Sequence, residues 1–302
     1  EERKTMAMAI DLAAKEGADL VLATDPDSDR IGVALRNKKG EYVLLNGNQT
    51  LVLLLSYQLT RWAELGKLDG KQYVVKTIVT SQMANAVADH FKVKCYECLT
   101  GFKYIAKIIR GHEGTDMQYI GGGEESFGYL AGDYVRDKDG VSACSLAAEA
   151  AAWVRDTMGI SLYEWLKQLY VKYGFYQEGL VSVVRTGKEG AELIQRMMVD
   201  YRANPPKEIL GSPVVKINDI QTLESFDVRT GKKTHLEQDK SNVLQWYTED
   251  GTRVCVRPSG TEPKIKFYFG VKAPLRSVEE YDKVLAELDA KIEGIKKDLK
   301  LE

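Results

Sequence analysis

The chain of 302 residues carries 42 Lys and Arg against 44 Asp and Glu, and 44% of its residues are hydrophobic. This balance is typical of globular proteins and excludes a disordered, collagen-like or coiled-coil chain. Because the net charge is only −2 and the longest apolar run is Leu51 to Leu55, we expect neither a nucleic-acid nor a membrane partner.

The first part of the chain alternates between helical and strand-like segments. The expected elements are a helix over residues 3–16, strands over 18–24 and 31–35, a helix over 48–65, a strand over 73–79, a helix over 81–91, a glycine-rich turn after Ile120 and a helix over 142–157. This alternation predicts an α/β architecture with mixed or mainly parallel sheets.

The pattern changes after about residue 175. The expected elements are a strand over 179–185, a helix over 190–201 and strands over 243–248, 252–256 and 264–271. Asp250-Gly251 indicates a hairpin, and Ser277 with Glu280 fits the capping box of a final helix that runs toward Lys300. This part therefore reads as a separate α+β unit.

Four cysteines in a chain of this length do not form a disulfide framework. Cys95 and Cys98 lie in a strand-like run, where positions three apart point to opposite faces. We therefore expect thiols rather than a bridge or a metal site, and a cytoplasmic protein.

An acidic loop follows the first predicted strand. Asp25, Asp27 and Asp29 alternate in it, and alternate carboxylates on one side of an extended loop suit Mg²⁺, with Arg30 offsetting part of their charge. An EF-hand is excluded, because arginine stands at its sixth and twelfth positions. A plain polar turn and a haloacid-dehalogenase-type phosphatase loop, with Asp25 as nucleophile, remain open.

The second candidate loop is the glycine-rich run from Gly121 to Gly128. Glu124 and Ser126 lie two positions apart and are suited to the vicinal hydroxyls of a sugar, while Arg136 or Lys138 is suited to a phosphate. A turn that caps a helix is the alternative.

The third candidate loop, Arg257 to Pro263, lies between two predicted strands. It brings one guanidinium, two hydroxyls and glycine-enabled N–H groups into a short segment, as an anion site requires. A structural turn is the alternative, and the Walker pattern is absent.

Taken in order, the three loops resemble those of the α-D-phosphohexomutase family, which includes phosphoglucomutases and phosphomannomutases. Asp25 to Arg30 is similar to the metal loop of the family, Gly123 to Gly128 to its sugar loop, and Arg257 to Thr261 to its phosphate loop. Two further segments, Thr100 to Lys103 and Arg136 to Gly140, resemble the phosphoglucomutase branch.

The resemblance implies a division into domains. Residues 1–47 would form part of domain 2 with the metal loop, residues 48–175 the sugar-binding domain 3, and residues 176–302 an α+β phosphate-binding domain 4. The fold class implied is mixed-sheet α/β domains followed by an α+β C-terminal domain.

The resemblance also implies roles for individual residues. Those implied are Asp25, Asp27 and Asp29 for Mg²⁺, Arg30 beside the reacting phosphate, Glu124 and Ser126 for sugar hydroxyls, Arg257, Ser259, Gly260 and Thr261 for the distal phosphate, and Lys103 and Lys138 as weaker substrate-binding candidates. The reaction implied interconverts hexose 1-phosphate and hexose 6-phosphate, glucose being favoured, through a phosphoserine and glucose 1,6-bisphosphate.

A Thr-Ala-Ser-His-Asn-type loop, whose serine is phosphorylated in the family, does not occur in this sequence. The resemblance places it in an N-terminal domain outside the chain. We therefore expect a fragment that is inactive alone and, because that serine also ligates the metal, binds Mg²⁺ weakly. A non-catalytic sugar-phosphate-binding module is a further alternative.

Overall fold

Helices and strands alternate through the first half of the computed structural model, which describes residues 3–185, 187–259 and 262–301. The elements there are α1 (Arg3–Glu16), β1 (Leu20–Thr24), β2 (Ile31–Arg36), β3 (Tyr42–Leu44), α2 (Gly47–Glu64), β4 (Gln72–Thr77), α3 (Met83–His90), β5 (Lys94–Cys98), α4 (Phe102–Gly111), β6 (Gln118–Glu124), β7 (Gly128–Ala131), α5 (Gly140–Met158) and α6 (Leu162–Tyr173). They belong to one compact unit, Glu1–Gly174 with Arg276–Val278.

Two sheets form in this unit. The first has the order β1-β2-β3 with antiparallel pairs, and the second has the order β5-β4-β6-β7. In the second sheet β4 pairs in parallel with β5 and β6, whereas β7 is antiparallel to β6. The prediction of mixed-sheet α/β architecture is therefore confirmed.

Helix α2 shows how the sequence determines this unit. The side chain of Asn46 accepts from the backbone N–H of Gln49 at 2.9 Å, and Gln49 accepts from the Asn46 N–H at 3.0 Å, so a reciprocal cap begins the helix. The apolar run Leu51 to Leu55 lies inside α2 and is fully buried, as are all six residues of β4. The buried residues of α2 and β4 form part of the hydrophobic core of this unit.

The second unit, Phe175–Leu275 with Glu279–Glu302, is dominated by one antiparallel sheet. Its elements are β8 (Phe175–Val184), α7 (Gly187–Ala203), β9 (Glu208–Ile209), β10 (Ser212–Asp219), β11 (Glu224–Asp227), β12 (Lys233–His235), β13 (Leu244–Thr248), β14 (Arg253–Pro258), β15 (Lys264–Ala273) and α8 (Tyr281–Asp298). The strands are ordered β12-β11-β10-β13-β14-β15-β8, and β9 pairs with β10. The hairpin predicted at Asp250-Gly251 joins β13 to β14, and the α+β assignment is confirmed.

Several sequence-based expectations were wrong. The final helix does not begin with a capping box at Ser277, because residues 278–280 form a 3-10 turn and Glu280 precedes α8 in a helical conformation without a side-chain cap. The sequence reading also missed α4 and α6, the strands β3 and β7, and the strands from β9 to β12. Strands β11 and β12 bury none of their residues, so they lack the apolar alternation that predicts a strand.

The glycine-rich run is a strand where we expected a turn. Gly121 to Gly123 continue β6, and a methyl group built on Gly122 would lie 1.9 Å from the carbonyl oxygen of Val75. Glycine is required here because two backbones approach closely inside a sheet, not because the chain turns.

No helix in the described ranges is both long and apolar enough to cross a membrane.

Candidate functional site

The acidic loop joins β1 to β2 as a tight turn. Oδ1 of Asp25 accepts from the backbone N–H groups of Asp29 at 3.1 Å and Arg30 at 3.0 Å. The N–H of Ser28 donates to the Asp25 carbonyl at 2.9 Å, and Ser28 has a φ of +59°. The loop is thus held from within by its own first carboxylate.

The three aspartates of this loop converge. Carboxylate oxygens of Asp25, Asp27 and Asp29 all lie within 4.8 Å of one another. Convergence arises from the turn rather than from the extended alternation that we expected. Hard oxygen donors at this spacing fit the coordination of Mg²⁺.

Hydrogen bonding keeps the first aspartate ionised. Burial by itself would raise the pKa of Asp25, but the backbone donors Arg30 and Asp29 outweigh it, so the pKa lies below its usual range. A carboxylate that stays anionic at neutral pH is what a cation site needs.

Two side-chain cations approach the acidic loop. Nε of Arg30 lies 3.9 Å from Oδ1 of Asp29, and Nζ of Lys138 lies 2.6 Å from Oδ2 of the same residue. The sequence reading assigned charge compensation to Arg30, whereas the shorter contact is made by Lys138. No local pattern revealed it, since 109 positions separate Lys138 from Asp29.

The glycine-rich loop, residues 121–128, consists of the end of β6, a short turn and the first residue of β7. Glu124, the last residue of β6, is 8% exposed. Burial first, and then the neighbouring charge of Glu125, raise the pKa of Glu124, while a hydrogen bond with Ser126 lowers it in part. A buried carboxyl group beside a hydroxyl is suited to hydrogen-bonding with polyols.

A second glutamate anchors this loop. Oε2 of Glu125 accepts from Oγ1 of Thr77 at 3.1 Å and of Thr80 at 3.3 Å, at the carboxyl end of β4. The sequence reading gave Glu125 no role. No local pattern indicated this role, because Thr77 and Thr80 precede Glu125 by 48 and 45 positions.

The two loops touch through backbone. The N–H of Ile31 donates to the carbonyl of Phe127 at 3.0 Å. The acidic loop is also bound to the first residue of α5, since the N–H of Gly140 donates to the carbonyl of Ser28 at 2.9 Å. The structure thereby brings together the predicted residues Asp25, Asp27, Asp29, Arg30, Glu124, Ser126 and Lys138.

Two basic candidates have other contacts. Lys103 is exposed on the first turn of α4, with Nζ 5.0 Å from the ring centre of Tyr104. Arg136 forms an ion pair with Glu113 at 2.9 Å. Neither contact involves the acidic or the glycine-rich loop.

The third loop lies in the second unit, where β14 leads into β15. Arg257 stands opposite Lys266 in the antiparallel pair, so both side chains emerge on one face, together with Lys264. The N–H of Ser259 donates to the Lys264 carbonyl at 2.8 Å. The sequence reading missed the two lysines, although their alternation along β15 indicates a shared face.

The predicted phosphate-binding residues Gly260 and Thr261 lie outside the described residues.

Comparison with known families agrees with this arrangement. The chain matches three models named phosphoglucomutase/phosphomannomutase: alpha/beta/alpha domain II at residues 1–40, alpha/beta/alpha domain III at residues 46–173 and the C-terminal domain at residues 214–288. The chain therefore belongs to the phosphoglucomutase/phosphomannomutase family, and the resemblance read from the three loops is confirmed.

Individual relatives point the same way. A phosphoglucomutase of Staphylococcus aureus is 36% identical over 292 residues, which are 97% of this chain and 51% of that protein. The chain thus spans about half the length of the curated relatives it matches.

Solved structures share the fold. A putative phosphomannomutase from Thermus thermophilus is 19% identical, with a TM-score of 0.57, over 95% of this chain and 50% of the other. The Paramecium phosphoprotein parafusin, a phosphoglucomutase, is 16% identical, with a TM-score of 0.60, over 93% of this chain and 46% of the other.

Proposed function

We propose that the chain supplies the metal, sugar and distal-phosphate elements of a phosphohexomutase that interconverts hexose 1-phosphate and hexose 6-phosphate, glucose being favoured. The observation that carries this proposal is the contact between the acidic and glycine-rich loops, made by the Ile31–Phe127 hydrogen bond. A cation site and a sugar-binding carboxylate are adjacent, as phosphoryl transfer to a sugar hydroxyl requires.

In this proposal Asp25, Asp27 and Asp29 hold Mg²⁺, and the convergence of their oxygens supports the assignment. The cation supplies charge neutralisation for the transferring phosphoryl group. Arg30 adds a guanidinium beside the reacting phosphate. Its backbone N–H donates to Oδ1 of Asp25, which keeps Arg30 next to the proposed metal ligands.

The sugar is bound by the second loop in this proposal. Glu124 and Ser126 hydrogen-bond to vicinal hydroxyls, with Lys138 beside them, while Arg257, Ser259, Gly260 and Thr261 bind the distal phosphate. Glucose 1,6-bisphosphate is the expected intermediate, since each phosphate needs its own site when the sugar binds in two orientations. Lys103 is the weakest of these assignments.

The donor of the phosphoryl group is a serine that this sequence does not contain, so we propose that the chain alone binds substrate without turnover and binds Mg²⁺ weakly. The division at residues 47 and 175 into parts of domains 2, 3 and 4 stays a prediction. So does the cytoplasmic location, which four cysteines outside any disulfide support.

Calorimetric titration of the chain with glucose 1,6-bisphosphate tests the proposal. We expect binding without conversion to hexose monophosphates, weakened about tenfold by either Glu124→Gln or Arg257→Ala. Arg229→Ala is the matched control, because Arg229 lies in an exposed turn and pairs with Glu249 at 3.5 Å. Binding that neither substitution weakens would refute these site assignments.

The phosphatase alternative, with Asp25 as nucleophile, gains no support from the loop geometry. Oδ1 of Asp25 already accepts two backbone N–H groups. Hydrolysis of sugar phosphates by the chain, abolished in Asp25→Asn, would revive it.

A further inference from the structure

Lys138 is held against the acidic loop and largely withdrawn from solvent. Its Nζ lies 2.6 Å from Oδ2 of Asp29 and 3.4 Å from Oδ1 of Asp137, and its side chain is 13% exposed. The ammonium also lies 6.0 Å from the ring centre of Phe102. A desolvated charge of this kind is tolerated because a specific carboxylate neutralises it.

The same lysine borders the glycine-rich loop. A methyl group built on Gly128 would lie 2.5 Å from Cδ of Lys138 and 3.2 Å from Oε1 of Glu124. The lysine stem and the Glu124 carboxylate therefore pass over the same glycine. Lys138 thus has one carboxylate partner in the acidic loop and a second carboxylate nearby in the glycine-rich loop.

We propose that the ammonium of Lys138 is the internal counter-ion of the acidic loop and that a divalent cation displaces it from Asp29 toward Glu124. The inference rests on the metal site in the proposed function. A cation bound through Asp29 competes with the ammonium for the same carboxylate and repels it.

The exchange couples the two loops. When the metal takes over neutralisation of the aspartates, the positive charge of Lys138 becomes available to Glu124, which lies in a buried position beside Glu125. Metal binding therefore brings the positive charge of Lys138 to the Glu124 carboxylate, the proposed sugar-binding group. By reciprocity, a sugar phosphate bound at Glu124 favours the metal-bound form of the chain.

The test measures Mn²⁺ binding, since Mn²⁺ shares the preference of Mg²⁺ for carboxylate ligands. The electron paramagnetic resonance signal of free Mn²⁺ is followed for the whole chain and for Lys138→Met, which keeps the apolar stem over Gly128 and Phe102. We expect Lys138→Met to bind Mn²⁺ about threefold to tenfold more tightly. Lys67→Met is the control, because Lys67 is exposed and lies over the ring of Trp62.

A second readout uses thermal unfolding. With EDTA present, Lys138→Met should melt below the wild-type chain, because the aspartates have lost their counter-ion, and saturating Mg²⁺ should remove the difference. If Lys138→Met binds Mn²⁺ no more tightly than wild type, the displacement of Lys138 by the metal is overturned, but the metal site is not. The same holds if the melting temperature of Lys138→Met is lowered equally with and without Mg²⁺. Absence of Mn²⁺ binding by both proteins overturns the metal site and the exchange together.

Discussion

The backbone N–H of Ile31 donates to the carbonyl oxygen of Phe127 at 3.0 Å and joins two hairpins that are 96 residues apart in sequence. Ile31 begins β2 and Phe127 directly precedes β7, so the bond lies where both loops end. A displacement of either loop therefore moves the other. Because the bond joins two backbone groups, this coupling does not depend on which side chains the two residues carry.

The contact at Gly140 predicts a sharp cost of adding one methyl group. A Cβ there would lie 2.6 Å from the carbonyl oxygen of Arg30 and 2.8 Å from that of Ser28. We expect Gly140→Ala to lower the free energy of unfolding by about 1–3 kcal/mol, measured by urea titration.

Gly111→Ala is the matched control. Apart from its chain neighbours and the backbone of its own helix, no described atom lies within 4 Å of a Cβ built on Gly111, at the end of α4, so this change should stabilise by up to about 1 kcal/mol. Equal effects of the two substitutions would contradict the close approach at Gly140.

The anchoring of Glu125 predicts a role for a buried threonine. Thr80 is fully buried, and its hydroxyl lies 2.8 Å from Oγ1 of Thr77 and 3.3 Å from Glu125. Thr80→Val should cost about 1–3 kcal/mol of stability, because the Glu125 carboxylate loses a donor, and should weaken binding of glucose 1,6-bisphosphate.

Calorimetry and urea titration check both effects. Thr157→Val serves as control, since among the described residues the Thr157 hydroxyl donates to the carbonyl of Trp153 in its own helix, at 2.6 Å. If Thr80→Val binds the bisphosphate like the control, Glu125 does not position the loop.

Acid stability of the second unit depends on the hairpin turn. Burial would raise the pKa of Asp250, but hydrogen bonds from Lys291 at 2.7 Å, and from Thr248 and Thr252, hold it well below its ordinary value of 3.8. Because the pKa is lower in the folded chain than in the unfolded chain, the stabilisation is complete above 3.8 and is lost as the pH falls below it.

Asp250→Asn should therefore be less stable than wild type at pH 7, and the difference in stability should shrink steadily as the pH falls below 3.8. Urea unfolding at several pH values, followed by tryptophan fluorescence, measures this. Asp200→Asn, at an exposed position of α7, is the control, and its free energy of unfolding should depend on pH as that of wild type does. A constant gap for Asp250→Asn across the acid range would show that the carboxylate charge is not responsible.

The two sheets of the first unit predict unequal backbone protection. Strand β1 is the edge of the described order β1-β2-β3, whereas β4 lies between β5 and β6 with every residue buried. Amides of β1 should exchange with deuterium faster than those of β4, and residues 1–47 as a whole should be the less protected part. Mass spectrometry of peptic peptides checks this, and equal protection would refute it.

Local rules predicted much of this structure from sequence. The helix over residues 48–65, the hairpin at Asp250-Gly251 and the acidic loop follow from neighbouring residues. What failed depended on distant partners. Gly122 was read as a turn residue because the carbonyl of Val75 that requires it lies in another strand, and Lys138 was not matched to Asp29 because only the fold brings them together.

Three successive residues, two directly before α5 and the first residue of α5, each have a hydrogen-bond or ion-pair partner. Lys138 pairs with Asp29, Asp139 accepts from the N–H of Val141 at 3.0 Å, and Gly140 donates to Ser28. A residue inserted earlier, in the exposed segment 133–135, leaves this triplet intact, whereas one inserted within the triplet changes which residue meets each partner. We therefore expect related chains to differ in length before this triplet and never inside it.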